Sequence, residues 1–147
     1  VQDVAVYLGS GASHGGLALA TKVLGLPWNI TGVMRSPSST YSAHVPGWVR
    51  GAVEALDLSV SLEPNELIET DKFMGPGRSA PTVQSIEAVR KMAETEGLII
   101  EPIYTGKTLA AIIEDVHKGV LTPEDTVLFI HTGGLSELFN HTDLLKR

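Results

Sequence analysis

An open, mostly parallel α/β sheet with helices on both faces is the fold this sequence predicts, and three observations predict it. Apolar, strand-like runs alternate with helical periods along the chain, the pattern of a parallel sheet covered by helices. The first run, Val4-Ala5-Val6-Tyr7-Leu8, passes through Gly9-Ser10-Gly11-Ala12-Ser13-His14-Gly15-Gly16 directly into a helical period. Finally, 147 residues of which 43% are hydrophobic suffice to bury one core, and nothing in the composition suggests disorder.

Taken in order, the opening strand is followed by a helix from about Ser13 to Leu24 with Leu17, Ala20, Thr21 and Leu24 in register. Pro27 then breaks the chain before a second buried strand, Trp28 to Met34. A polar turn, Arg35 to Thr40, leads to a helix with Val45, Val49, Val53 and Leu56 on one stripe, Pro46-Gly47 marking its first turn. Leu67 to Thr70 reads as a short strand. The glycine- and proline-rich stretch Phe73 to Pro81 can be neither helix nor strand, and so long a loop in a compact domain is often functional. A helix from Thr82 to Glu96 buries Val83, Ile86, Val89, Met92 and Ala93, with Gly97 placed as its C-cap. Leu98 to Tyr104 reads as another apolar strand, followed by Thr105-Gly106-Lys107 and a helix carrying Leu109, Ile112, Ile113 and Val116. The last strand is Val127 to Ile130, ending in His131-Thr132-Gly133-Gly134.

Charge and composition narrow the function. A formal net charge of -6 without a Lys/Arg cluster argues against nucleic acid and membrane surfaces and for a small-molecule partner. With no cysteine there is neither a disulfide framework nor a thiolate metal site, and five histidines scattered without ligand spacing give a metal no support. No apolar run approaches the ~20 residues of a membrane span, and the N-terminus lacks a signal-peptide pattern. A cytoplasmic protein is expected. A chain that starts at Val1 and enters a strand almost at once is expected to be part of a longer product.

The turn at Ser10 to His14 carries the sharpest chemical signal. A strand, a turn of small residues and a helix N-terminus direct unpaired backbone N–H groups and the positive end of the helix dipole at one point, which is an anion site suited to phosphate. The rival is a dinucleotide site. The G-x-G-x-x-G pattern fails there by one residue, His14 standing where the third glycine belongs. Arg35 and Ser36 after the second strand could instead read a 2′-phosphate, which keeps an NADP-binding reductase domain as an alternative. Two further segments, Tyr104 to Lys107 and His131 to Gly134, fall with the turn at the sheet edge where open α/β folds bind ligands.

These same residues carry a family resemblance. Gly-Ser-Gly-Ala-Ser-His-Gly-Gly, then Thr95-Glu96-Gly97 with Glu101-Pro102-Ile103-Tyr104-Thr105-Gly106-Lys107, then Phe129-Ile130-His131-Thr132-Gly133-Gly134, resemble the D-cysteine desulfhydrase and 1-aminocyclopropane-1-carboxylate deaminase family of fold-type-II, tryptophan-synthase β-like enzymes. The resemblance runs from Val4 to Phe139. It implies a pyridoxal 5′-phosphate cofactor, an amino-acid substrate and a homodimer. It also implies that residues 1–147 are the C-terminal segment of the large cofactor-binding domain, with the N-terminal half, and the lysine that bonds the cofactor, absent from this chain. Ser10, Gly11, Ala12, Ser13 and His14 would cradle the phosphate, Tyr104 would stand at the cofactor face as the catalytic residue, and Thr105 would meet the pyridine nitrogen. The deaminase branch has Glu at that last position and the desulfhydrase branch Thr, so the resemblance favours a lyase that eliminates sulfide and yields pyruvate and ammonia. The loop after Gly75-Pro76-Gly77 departs from both branches: they continue with tyrosine and this chain with Arg78, a cation suited to a carboxylate-bearing substrate or to a salt bridge at the loop. A noncatalytic partner subunit with the same fold is a further alternative.

Other conspicuous residues have plainer readings. His14 packs or caps at its helix start, Lys107 is structural, His131 is a hydrogen-bonded core histidine, and Trp28 and Trp48 pack.

Overall fold

The computed structural model describes residues 4–8, 11–34, 44–77 and 80–145. Four strands, β1 (Val4–Leu8), β2 (Trp28–Val33), β3 (Ile68–Thr70) and β4 (Thr126–Phe129), form one parallel sheet in the order β3-β2-β1-β4. The register runs Val4 to Trp28 across β1 and β2, Val4 to Thr126 across β1 and β4, and Thr31 to Ile68 across β2 and β3. Parallel neighbours need crossover connections, and helices supply them. These are α1 (Gly11–Leu24), α2 (Val45–Ala55), α3 (Val83–Glu96) and α4 (Thr105–His117). Two 3₁₀ segments, Pro64–Glu66 and Leu135–Leu145, complete the described chain.

The alternation of β2 divides the core into two layers. Ile30 and Met34 face α1 and α2, packing with Ala18, Leu19, Val45 and Val49. Val33 faces the other way, into a cluster of Phe73, Ala88, Ala110, Ala111 and Leu121 under α3 and α4. Its C-terminal half, Ile30 to Val33, is covered from both faces, as a central parallel strand is. Helices α1 and α2 approach closely because Gly15 lacks a side chain: a Cβ there would come within 2.9 Å of Val49 Cγ2 and 3.0 Å of Val45 Cγ1.

Three expectations change. Leu98 to Tyr104 is not a strand but an irregular passage into α4. Pro102 offers no N–H, the Glu101 N–H goes to Thr105 Oγ1, and the N–H groups of Ile103 and Tyr104 go to the Glu101 carboxylate, at 2.6 Å and 2.9 Å, so residues 101–104 have no donors for a ladder. Val83 is exposed, and the buried stripe of α3 runs through Ser85, Ala88 and Val89. A reciprocal cap sets that rotation, Ser85 N donating to Thr82 Oγ1 at 3.0 Å and Thr82 N to Ser85 Oγ at 2.9 Å. Trp48 is 55% exposed and stacks on His44 rather than entering the core. The Gly97 cap of α3 is as expected, in the left-handed conformation at φ 67°.

Glu101 organises the start of α4. Its carboxylate, fully buried, also accepts from Thr105 N at 2.6 Å and Thr105 Oγ1 at 2.9 Å. It therefore takes up three successive backbone donors that a helix N-terminus leaves unpaired. Beside it, Gly106 lets α4 settle onto α3: an added Cβ would lie 2.8 Å from the Glu101 carbonyl oxygen and 2.9 Å from that of Ser85, both backbone. Glu101→Gln, which puts an NH₂ among donors and removes the charge, should lower stability by about 1.5–3 kcal/mol in urea titrations. Gly106→Ala should cost about 1–3 kcal/mol by overpacking, although alanine is the better helix former.

Candidate functional site

Strand β1 is central, with β2 on one flank and β4 on the other. The chain leaves β1 toward β2 and returns only later to the opposite side, so the topological switch point lies between β1 and β4, at their carboxyl ends. Three segments meet at that edge. One is the first turn of α1 and another the turn after β4, where Gly133 and Gly134 have φ of 104° and 89°, conformations that side chains rarely adopt. The third is the start of α4. Gly134 presses on it: a Cβ there would lie 3.0 Å from Tyr104 Cδ2 and 3.3 Å from Glu101 Oε1. Tyr104 is half-buried at this junction.

The first turn of α1 presents Gly11 buried, Ala12 exposed, Ser13 half-buried and His14 buried. No acidic residue lies in that turn. The two helix starts at the edge thus differ in kind: α4 already holds an internal anion, Glu101, whereas α1 directs its unpaired N–H groups at a turn with no carboxylate of its own. Not every glycine of the motif serves that turn. Gly15 is a packing glycine against α2, and Gly16 has no neighbour within 4 Å of the position a Cβ would take. Ser10, expected to join the cradle, lies outside the described residues, as do Arg35, Ser36 and Arg78.

Thr105 is brought to the edge but turned inward. It is 1% exposed, its hydroxyl donating to Glu101 Oε1 at 2.9 Å and accepting from Glu101 N at 3.2 Å. Lys107 is buried, its Nζ donating to the Met74 carbonyl at 2.7 Å and the Gly77 carbonyl at 3.4 Å, which accords with a structural reading. Burial lowers its pKa from the usual 10.5, with Glu101 opposing. His131, expected in the core, is exposed instead: the strand has ended by then, and its Nδ1 accepts from Gly133 N at 3.3 Å within the turn. The residue that sequence reasoning missed is Glu101. An acid directly before a proline, four residues ahead of Thr105, is the signal of a capping carboxylate that could have found it.

His14 lies beneath the α1 turn with no exposed surface. Its ring covers Gly32 of β2, where a Cβ would come within 2.7 Å of Nδ1. Among the described residues neither ring nitrogen has a hydrogen bond of good geometry, and Glu69 Oε1 is 3.7 Å from Nδ1. Burial lowers the His14 pKa from 6.5, and the Glu69 charge opposes this without overcoming it. The folded protein therefore takes up the His14 proton only at lower pH than the unfolded chain does. As pH falls below 6.5 the unfolded state gains protons first and stability drops, by at most about 1.4 kcal/mol per pH unit. Urea titrations at pH 7.5 and 5.5 should show His14→Gln losing ~1 kcal/mol less than the parent over that interval.

Comparisons with known proteins agree with this geometry. A family model described as pyridoxal-phosphate dependent enzyme matches residues 1–133. The structure is also similar to the crystal structure of an ACC deaminase homologue, with a TM-score of 0.82 and 27% identity over 96% of this chain. This chain spans 43% of that one's length. An α1 N-terminus free of acids fits a phosphorylated cofactor, and of the described residues Gly11, Ala12, Ser13 and His14 are those that could hold its phosphate. The dinucleotide alternative gives way to this cofactor. Residues 1–133 being the matched region, the chain belongs to the pyridoxal-phosphate dependent enzyme family.

Proposed function

We propose that this chain is the C-terminal part of a pyridoxal-phosphate dependent lyase of the D-cysteine desulfhydrase kind, acting with an N-terminal half that carries the cofactor-bonding lysine. The observation that carries the reading is the meeting, at one sheet edge, of an uncapped-by-acid α1 N-terminus, the Gly133-Gly134 turn and the Tyr104-Thr105 start of α4. When bound, the cofactor supplies an electron sink for the pair left as the substrate Cα–H bond breaks. The chain's own residues do the rest. Backbone N–H groups of the α1 turn and the Ser13 hydroxyl hold the phosphate. Tyr104 stands at the cofactor face. The family resemblance puts Thr105 at the ring nitrogen, and its hydroxyl, which donates to Glu101 Oε1 and accepts from Glu101 N, exchanges one of those bonds to meet it. Arg78 answers a substrate carboxylate. The net reaction takes D-cysteine and water to pyruvate, ammonia and sulfide. A cytoplasmic homodimer completes the proposal.

The ACC deaminase homologue among the similar structures supports a second reading, deamination of 1-aminocyclopropane-1-carboxylate. Thr105 weighs against it, since the family resemblance puts Glu at that position in deaminases. Sulfide release from D-cysteine by the assembled enzyme, without consumption of the cyclopropane amino acid, is the expected result, and the reverse preference would select the deaminase.

The phosphate turn has its own test. Gly11→Val should abolish pyridoxal-phosphate binding by the assembled protein, because a branched side chain fills the space of a phosphate oxygen. Ser13→Ala should weaken binding by about 1.5–3 kcal/mol, the worth of one charge-assisted hydrogen bond. Cofactor titrations paired with thermal melts of the cofactor-free forms check both. Unchanged binding by Gly11→Val would make the turn structural.

A further inference from the structure

We propose that Lys107 is a positioning residue that fixes the Met74–Gly77 loop against the first turn of α4 and so sets the affinity for substrate at the neighbouring edge. This rests on the proposed function for the identity of that edge, but the contact itself does not. Lys107 is 1% exposed and reaches two carbonyls that bracket the loop tip, Met74 O and Gly77 O. The loop is held on its other side as well. Gly75, at φ 68°, lies where a Cβ would come within 2.4 Å of Thr82 Cγ2, the residue that caps α3. Met74 N donates back to Asp71 O at 3.0 Å and Ala80 N to Gly77 O at 3.3 Å. The loop is thus held between Lys107 of α4 and Thr82 at the cap of α3.

A stability role alone does not account for the residue. A buried ammonium is costly to desolvate, and an apolar side chain of the same volume commonly packs as well or better. What an apolar side chain cannot do is bind two backbone oxygens thirty or more residues away in sequence. The same helical turn holds Tyr104, Thr105 and, through Glu101, the Gly134 contact. Lys107 therefore ties the loop to the helical turn that starts at the switch point.

The absence of cysteine from the sequence makes the test clean. Lys107→Cys is then the single thiol of this chain. Alkylated while unfolded with bromoethylamine, it regains a lysine-length ammonium; alkylated with a propyl halide, it gains a neutral chain of similar length. After refolding in the assembled protein, trypsin cleavage following Lys72, whose neighbour Phe73 is buried before the loop, is followed by mass, Arg50 and Arg90 in the helices serving as internal references. The propyl form should be cut after Lys72 at least tenfold faster than the aminoethyl form, with cutting at the references equal in both. Directly expressed Lys107→Met should behave as the propyl form does, which covers a failure of either adduct to refold. Equal rates after Lys72, or faster cutting at every site alike, would overturn the latch. In the assembled enzyme Lys107→Met should raise KM at least fivefold with kcat within twofold. An unchanged KM beside a loosened loop would overturn the positioning role. A separate pyridoxal-phosphate titration of the parent tests the proposed function, since the proteolysis contrast needs no cofactor.

Discussion

A carboxylate buried without any exposed surface holds the functional edge of this protein together. Glu101 accepts from the N–H groups of Ile103, Tyr104 and Thr105 and from the Thr105 hydroxyl, so one side chain ends the irregular passage from α3, starts α4 and orients two of the residues at the switch point. Gly134 from the turn after β4 rests against the same carboxylate, and the Lys107 ammonium sits one turn on. An anion placed inside the protein at one helix start has a further effect. It leaves the α1 start as the edge's other set of unpaired N–H groups, without an acid in its first turn.

Packing explains why the edge has this geometry. Gly106 permits α3 and α4 to close until backbone meets backbone, and on the opposite face Gly15 lets α1 close onto the Val45 and Val49 side chains of α2. Gly32 leaves room for the His14 ring between α1 and β2. Each is a position where one added carbon would displace a helix from the sheet, and with it the helix start that lines the crevice. The two helix layers thus locate the turns of the candidate site by contacts on the order of a single methyl group.

Most of the fold was legible in the sequence because its strands are apolar runs and its helices have clean stripes. Ile30, Val33 and Met34 fall on alternate faces of β2 as a doubly covered strand requires, and Val45 and Val49 form the seam of α2. The misreadings have local causes. Leu98 to Tyr104 has the composition of a strand, but a side chain, Glu101, captures the donors that pairing would need, and no window of hydrophobicity registers that capture. Val83 fits the helical period of α3 yet precedes the turn fixed by the Thr82–Ser85 cap. Of the site, the three converging segments could be read from the glycine and hydroxyl spacing, whereas the division of labour among the glycines could not. Which glycine serves packing and which the turn depends on partners such as Val45 and Val49, remote in sequence.

The central claim is that the anion belongs at α1 and not at α4, where Glu101 already stands. Amide-resolved NMR during a titration with pyridoxal phosphate tests it most directly. The account predicts that the N–H resonances of Ala12, Ser13 and His14 shift together and saturate, while those of Ile103 and Thr105, bound to Glu101, move little. Saturating shifts confined to Ile103–Thr105, or none at the α1 turn, would contradict it.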